Sequence, residues 1–171
     1  MAQISLVDGN AIELHYWFDD NTHLIDAVVQ NKCEYEFLGI LKEIASTYNV
    51  LVTVETKPLA DGGLRRWFKI VAKDDNKKAT ITIAIIVALL TAVLVTPITT
   101  SISKVTEKLI ERIFEDSEIK ELEKEKLKLE IEKLKQETSK NTILLDNNNI
   151  IKKKRSNFYE TLEKYPKVEK I

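Results

Sequence analysis

The sequence predicts an α+β membrane protein: a small N-terminal ββαβα domain, then one transmembrane helix that continues into a long charged coiled-coil-like helix. Three observations point there. The stretch from Ala79 to Ser103, ATITIAIIVALLTAVLVTPITTSIS, contains no charged residue and is fenced by Lys77 and Lys78 before it and by Lys104 and Lys108 after it. A helix crosses about 30 Å of hydrocarbon with roughly 20 apolar residues, and basic residues stop it at the headgroups. Before the stretch, alternating runs and one amphipathic run fit a small domain, and after it Glu and Lys dominate. The expected divisions are 1–75, an α+β sensor or assembly domain; 76–103, the transmembrane helix; 104–145, the charged helix; and 146–171, a short C-terminal helix and tail. The many threonines and Pro97 leave a second reading open, a buried core helix of a soluble oligomer.

In chain order, Ile4 to Val7, the turn Asp8-Gly9-Asn10 and Ala11 to Phe18 read as a β-hairpin, because Ile12, Leu14, Tyr16 and Phe18 alternate with more polar neighbours. Asp20, Asn21 and Thr22 supply N-cap chemistry for a long helix ending near Tyr48. Its apolar stripe runs through Leu24, Val28, Tyr35, Leu38, Leu41, Ala45 and Tyr48, with Ile25, Val29, Phe37, Ile40 and Ile44 beside it. Val50 to Thr56 is β-branched and predicts a strand, and Pro58 and Gly62-Gly63 mark a turn. From Leu64 the spacing of Trp67, Phe68 and Val71 predicts a helix.

The apolar stretch is sorted by size. At 100° per residue, Ala84, Ala88, Ala92, Thr96, Thr99 and Ser103 gather on one side, while Ile83, Ile86, Val87, Leu90, Val93 and Leu94 fall on the other. Small side chains at four-residue spacing let helices pack closely in lipid, so this face is expected to meet another helix or to line a path. Beyond it, Ile98, Ile102, Val105 and Leu109 continue a seam of alternating four- and three-residue steps, and Ile113 follows. Glu–Lys pairs three residues apart between Glu121 and Lys135 support a solvated helix with a narrow apolar edge of Leu127, Ile131 and Leu134. Asp146 to Asn149 interrupts it, and a short helix bearing Phe158, Leu162 and Tyr165 ends at Pro166. Its leading basic run, Lys152 to Arg155, reads as a solvated face.

Composition restricts function. With 171 residues and a net charge of -1, the chain is not a general polyanion binder. Its single cysteine, Cys33, excludes an intrachain disulfide and reads as a small buried hydrophobe. The start lacks the pattern of a cleavable signal, and Arg65, Arg66, Lys69, Lys73, Lys77 and Lys78 crowd the N-terminal side of the span, so the first domain is expected inside the cell. His15 and His23 have no partner at metal-ligand spacing, and Gly62-Gly63 lacks the lysine and hydroxyl of a phosphate loop. The chain therefore reads as non-catalytic, without cofactor or metal. One cluster resembles a site: Arg65, Arg66 and Lys69 interleaved with Trp67 and Phe68 combine cations for a nucleic-acid backbone with aromatic faces for bases. The same residues suit a juxtamembrane helix meeting anionic headgroups.

The run HLIDAVVQNKCEYEFLGILKEIA at His23 to Ala45, followed by GGLRRWFKIV at Gly62 to Val71 and then by the apolar stretch, resembles the small membrane effectors of Hailong-type bacterial antiphage defence systems. The resemblance covers about the first half of the chain and the span. It implies a homo-oligomeric, tetrameric channel of the bacterial inner membrane, paired with a nucleotidyltransferase-like enzyme. It further implies an ion-conducting path held closed by short single-stranded DNA bound near Arg65, Arg66, Trp67 and Lys69, and opened to depolarise the membrane. The alternative from a different class is a membrane-anchored oligomeric scaffold that recruits a partner protein through its charged helix.

Overall fold

The computed structural model describes residues 5–8, 10–18, 24–56, 65–73, 77–95, 111, 113, 125–165 and 168–170. Strands β1 (Ser5–Asp8) and β2 (Ala11–His15) form the expected antiparallel hairpin, with Leu6 opposite Ile12. The second strand is shorter than its alternation suggested. Tyr16 leaves the ladder to bury its ring, and β3 (Trp17–Phe18) instead pairs with β6 (Val168–Lys170) in a separate two-stranded sheet.

Helix α1 (Ala27–Thr47) is capped by Asp26, whose Oδ1 accepts from the backbone N–H groups of Val28 at 2.8 Å and Val29 at 3.1 Å. The capping residues expected earlier, Asp20 to Thr22, lie outside the described residues. At the other end Asn49 takes φ 52°, the Val50 N–H donates to the Ala45 carbonyl at 3.1 Å and the Asn49 N–H to Ser46 at 3.0 Å. This is the paired-bond helix stop in which a left-handed residue turns the chain out, and asparagine is the residue after glycine that adopts it most readily. The turn delivers Val50 to the core edge and starts β4 (Val52–Thr56).

The segment expected as a helix from Leu64 is strand β5 (Arg65–Ala72). Phe68 and Ile70 are buried at two-residue spacing, and β5 pairs antiparallel with β2 on one side and β4 on the other, giving the order β1-β2-β5-β4. As a helix this segment would leave β4 without a ladder and β2 paired on one edge only, so pairing decides over the local i, i+4 pattern. One sheet face packs on α1: Ile12, Leu14, Phe68 and Ile70 meet Phe37, Ile40, Leu41 and Ile44 in one core. Cys33 lies in that core and its thiol is pushed up to about 12 by burial, as the reading of a small hydrophobe requires.

The membrane prediction is overturned. Helix α2 (Lys77–Val95) has 19 residues and begins with two lysines. The remaining apolar run, 79–95, spans about 26 Å at 1.5 Å per residue, short of about 30 Å of hydrocarbon. Among the described residues no helix is long and apolar enough to cross a membrane. Burial supplies the physical reason. Ile83, Ile86, Leu90 and Val93 on the large-residue face are buried, and so are Ala88 and Ala92 on the small-residue face. The chain itself covers both faces, and α2 packs on α1 and β5, so the apolar run is explained by an interior position rather than by lipid. The transmembrane helix and the inner-membrane location inferred from it are both withdrawn. Thr96, Thr99 and Ser103, the rest of the supposed packing face, lie outside the described residues.

Two further helices follow, α3 (Glu125–Asp146) and α4 (Asn149–Glu163), the latter capped by Asn148. Helix α4 docks along α1, which thereby has the sheet on one side and α4 on the other. Ile151, Phe158 and Leu162 are buried there, and the Tyr165 hydroxyl accepts from the Asp26 N–H at 3.1 Å. The basic run at the start of α4 is solvated only in part. Lys154 turns to Glu36 at 3.4 Å and lies 4.9 Å over the Tyr35 ring, and Arg155 is buried, which lowers its guanidinium pKa. A Cβ at Gly39 would stand 2.6 Å from Lys154 Nζ, so the glycine leaves room for that side chain across α1.

Candidate functional site

The strand assignment of β5 separates the residues of the basic–aromatic cluster. Successive side chains of a strand point to opposite faces, so Arg66 shares the α1 face with Phe68, while Trp67 and Lys69 lie on the other. Arg66 is committed there: its Nε donates to Glu34 Oε1 at 2.8 Å and its Nη2 to Oε2 at 3.1 Å. Gln30 Nε2 donates to the same Oε1 at 2.8 Å. A bidentate arginine–carboxylate pair is geometrically specific, and it joins β5 to α1 rather than waiting for a phosphate. Arg65 opens the strand opposite His15, and its side chain lies outside the described residues.

Trp67 is half-buried and Lys69 exposed, on the sheet face that turns away from α1. Both have an acid directly across the ladder, Glu13 opposite Trp67 and Glu55 opposite Lys69. Glu13 and His15, 4.0 Å apart, are themselves buried, and among the described residues this face is exposed at Thr53, Glu55 and Lys69. Carboxylates beside the cation and the ring weaken the pull on a polyanion. The structure thus brings together two of the four predicted nucleic-acid residues, Trp67 and Lys69, and assigns a third to a structural ion pair.

A second surface was missed. Helix α3 buries Leu134, Thr138, Asn141 and Leu145, which fall on one side of a 100°-per-residue wheel. Leu129 and Ile143, exposed by 60 % and 57 %, lie on the opposite side but about 21 Å apart along the helix, with the exposed Lys133, Gln136 and Lys140 between them, and Leu144, exposed by 61 %, flanks the buried side. Ile150, across the Asn147–Asn148 turn, is 51 % exposed and extends the apolar end. The sequence carried part of this signal, since Leu129 and Ile143 lie on the side of the helix away from Leu134. Of the edge that was predicted, Leu134 is buried, while the side chains of Leu127 and Ile131 lie outside the described residues.

Among the described residues no group of three or more His, Cys, Asp or Glu side chains is placed to hold a metal ion. Comparison with known proteins finds no family model, no curated protein and no solved structure that matches the chain.

Proposed function

We propose that the chain is a non-catalytic interaction protein that recruits a partner protein through α3. The observation that carries this reading is the exposed apolar pair Ile143 and Leu144 near the end of α3, continued by the exposed Ile150 across the turn. Single exposed hydrophobes are ordinary, but Ile143 and Leu144 adjoin at the end of α3 and Ile150 follows across the turn, a short apolar patch that a helix end can lay into a groove. Lys140, one turn before that patch, favours a groove with an acidic rim. Ile143→Asp/Leu144→Asp should abolish capture of the partner from the native cell, or reduce it at least about tenfold, because truncating a central apolar anchor costs about 2 kcal/mol or more. The melting temperature should change little, since both residues face solvent. Undiminished capture by that variant would remove α3 as the docking element.

A second reading keeps the oligonucleotide ligand but moves it. Trp67 and Lys69 stand on the sheet face away from α1, where a short single strand can stack on the indole. Trp67→Ala should then lose binding of an eight-nucleotide single-stranded DNA in a fluorescence anisotropy titration. Arg66→Ala should leave affinity unchanged and lower stability, because its partner Glu34 belongs to the fold. The reverse pattern would exclude this face.

A further inference from the structure

The two edges of the four-stranded sheet are unlike. In the order β1-β2-β5-β4 the outer strands are β1 and β4. The first carries a register shift between Leu6 and Asp8, an irregularity of the kind that blunts an edge against further pairing. The second pairs with β5 in unbroken register, from Val52 opposite Ala72 to Thr56 opposite Phe68. Its sequence, VTVET, has no proline, lysine or arginine, and its one acid, Glu55, stands opposite Lys69. A regular, β-branched edge without such guards is a template for another strand.

Hydrogen bonding defines which groups β4 leaves over. The Lys73 N–H donates to the Leu51 carbonyl at 3.2 Å, and on the other side of β5 the Ile70 N–H donates to the Asn10 carbonyl at 2.8 Å. Backbone groups alternate in direction along an antiparallel strand, so Leu51, Thr53 and Glu55 turn theirs toward β5. Val52, Val54 and Thr56 turn theirs outward, where among the described residues no strand meets them. The side chains of these three lie on the α1 face, opposite Ala72, Ile70 and Phe68, and Val52 and Val54 are only half-buried there. Beside Val52 a hollow of about 400 Å³, walled by Ala45 and Val50, lies open between the end of α1 and the start of β4.

We propose that β4 pairs with β4 of a second copy of this chain, antiparallel about a two-fold axis at Val54, so that the two sheets become one. The strand is self-complementary in that register. Val54 exchanges both backbone bonds with the partner's Val54, and Val52 does the same with the partner's Thr56. On the outer face Thr53 stands opposite the partner's Glu55, so the two acids are not set against each other. A register centred on Thr53 or on Glu55 pairs fewer residues of the strand, and the latter opposes two carboxylates. The axis is perpendicular to the sheet and keeps both α1 helices on one side of it, so the half-buried valines of each copy gain apolar cover where the hollow now lies open. The pairing uses no residue of α3 and does not rest on the reading of Ile143 and Leu144.

Sedimentation equilibrium of the full chain between about 1 and 100 μM, the range in which an interface of ordinary strength fills, tests this. The mass should rise to twice that of one chain. Val54→Lys sets two ammonium groups opposite each other at the axis, and Val54→Pro removes an amide that the fold itself does not use. Each should raise the dissociation constant of the dimer at least about tenfold with the circular dichroism unchanged. Thr53→Cys/Glu55→Cys, at two exposed positions, should give a covalent dimer under mild oxidation, and Thr53→Cys alone should not, because only 53 and 55 lie directly across from each other. The native chain, whose Cys33 is buried, supplies the background. Ile143→Asp/Leu144→Asp should leave the dimer intact. The cysteine experiment stands whether or not the Val54 variants fold. The proposal is overturned if the chain is monomeric throughout, if folded Val54 variants dimerise like the native chain, or if the α3 variant dissociates the dimer. It is equally overturned if the double-cysteine variant gives no covalent dimer, or if Thr53→Cys alone gives one.

Discussion

Phe37→Ala is expected to lower the free energy of unfolding by about 3–5 kcal/mol, the range for removing a fully buried aromatic ring from a packed core. Phe37 is completely buried on α1 and its ring lies 4.8 Å from that of Phe68, tilted by 36°. It is therefore one of the contacts through which α1 holds β5, one of the two inner strands of the sheet. A domain of ordinary stability has only about 5–15 kcal/mol in total, so this variant should be partly unfolded at 37 °C. Urea denaturation followed by circular dichroism would measure it as a shift in midpoint. Phe37→Leu should cost less, about 1–2 kcal/mol, because most of the volume is retained. A loss below 1 kcal/mol for the alanine variant would show that α1 is not seated on the sheet as described.

Glu36→Lys is the second large effect, expected at about 3–5 kcal/mol, as for a buried pair broken by removal of one partner. The Glu36 side chain is 7 % exposed and accepts from Asn157 Nδ2 at 3.0 Å and from Lys154 Nζ at 3.4 Å, both on α4. A lysine at 36 places two ammonium groups together in a poorly solvated seam and leaves the Asn157 amide without its acceptor. Release of α4 from α1 should appear as protease cleavage near the Asn147–Asn148 turn under conditions where the native chain resists. Glu36→Lys combined with Lys154→Glu should recover part of the loss. If Glu36→Gln were as damaging as Glu36→Lys, shape and hydrogen bonding rather than charge would hold the seam.

Much of the first domain was legible because its signals are local. The alternation of Ile12 and Leu14, the wide stripe from Phe37 to Ile44 and the β-branched run before Thr56 each specify an element that tertiary packing then confirms. The candidate site was much less legible. RRWFK at 65–69 carries cations and aromatics in any conformation, but which of them share a face depends on whether the period is 2 or 3.6. As a strand it sends Arg66 to Glu34, a partner 32 residues earlier that no local pattern could nominate.

Length and charge patterning alone bounded the chain: one cysteine placed in a core, an α+β first domain, a charged helix near the C-terminus, and one strongly apolar stretch. What surrounds that stretch was decided only by the tertiary structure. Lipid and a protein interior are equally apolar, so Ile83 to Leu94 read the same in either, and only the burial of both faces of α2 by the chain itself distinguishes them. The same holds for the C-terminal residues. Lys154 and Arg155 look like solvated cations until α4 folds back on α1, and the side of α3 left uncovered is defined only by what covers the other. Local periodicity fixes which residues share a face, whereas the partner of each face is a long-range contact that the periodicity does not contain.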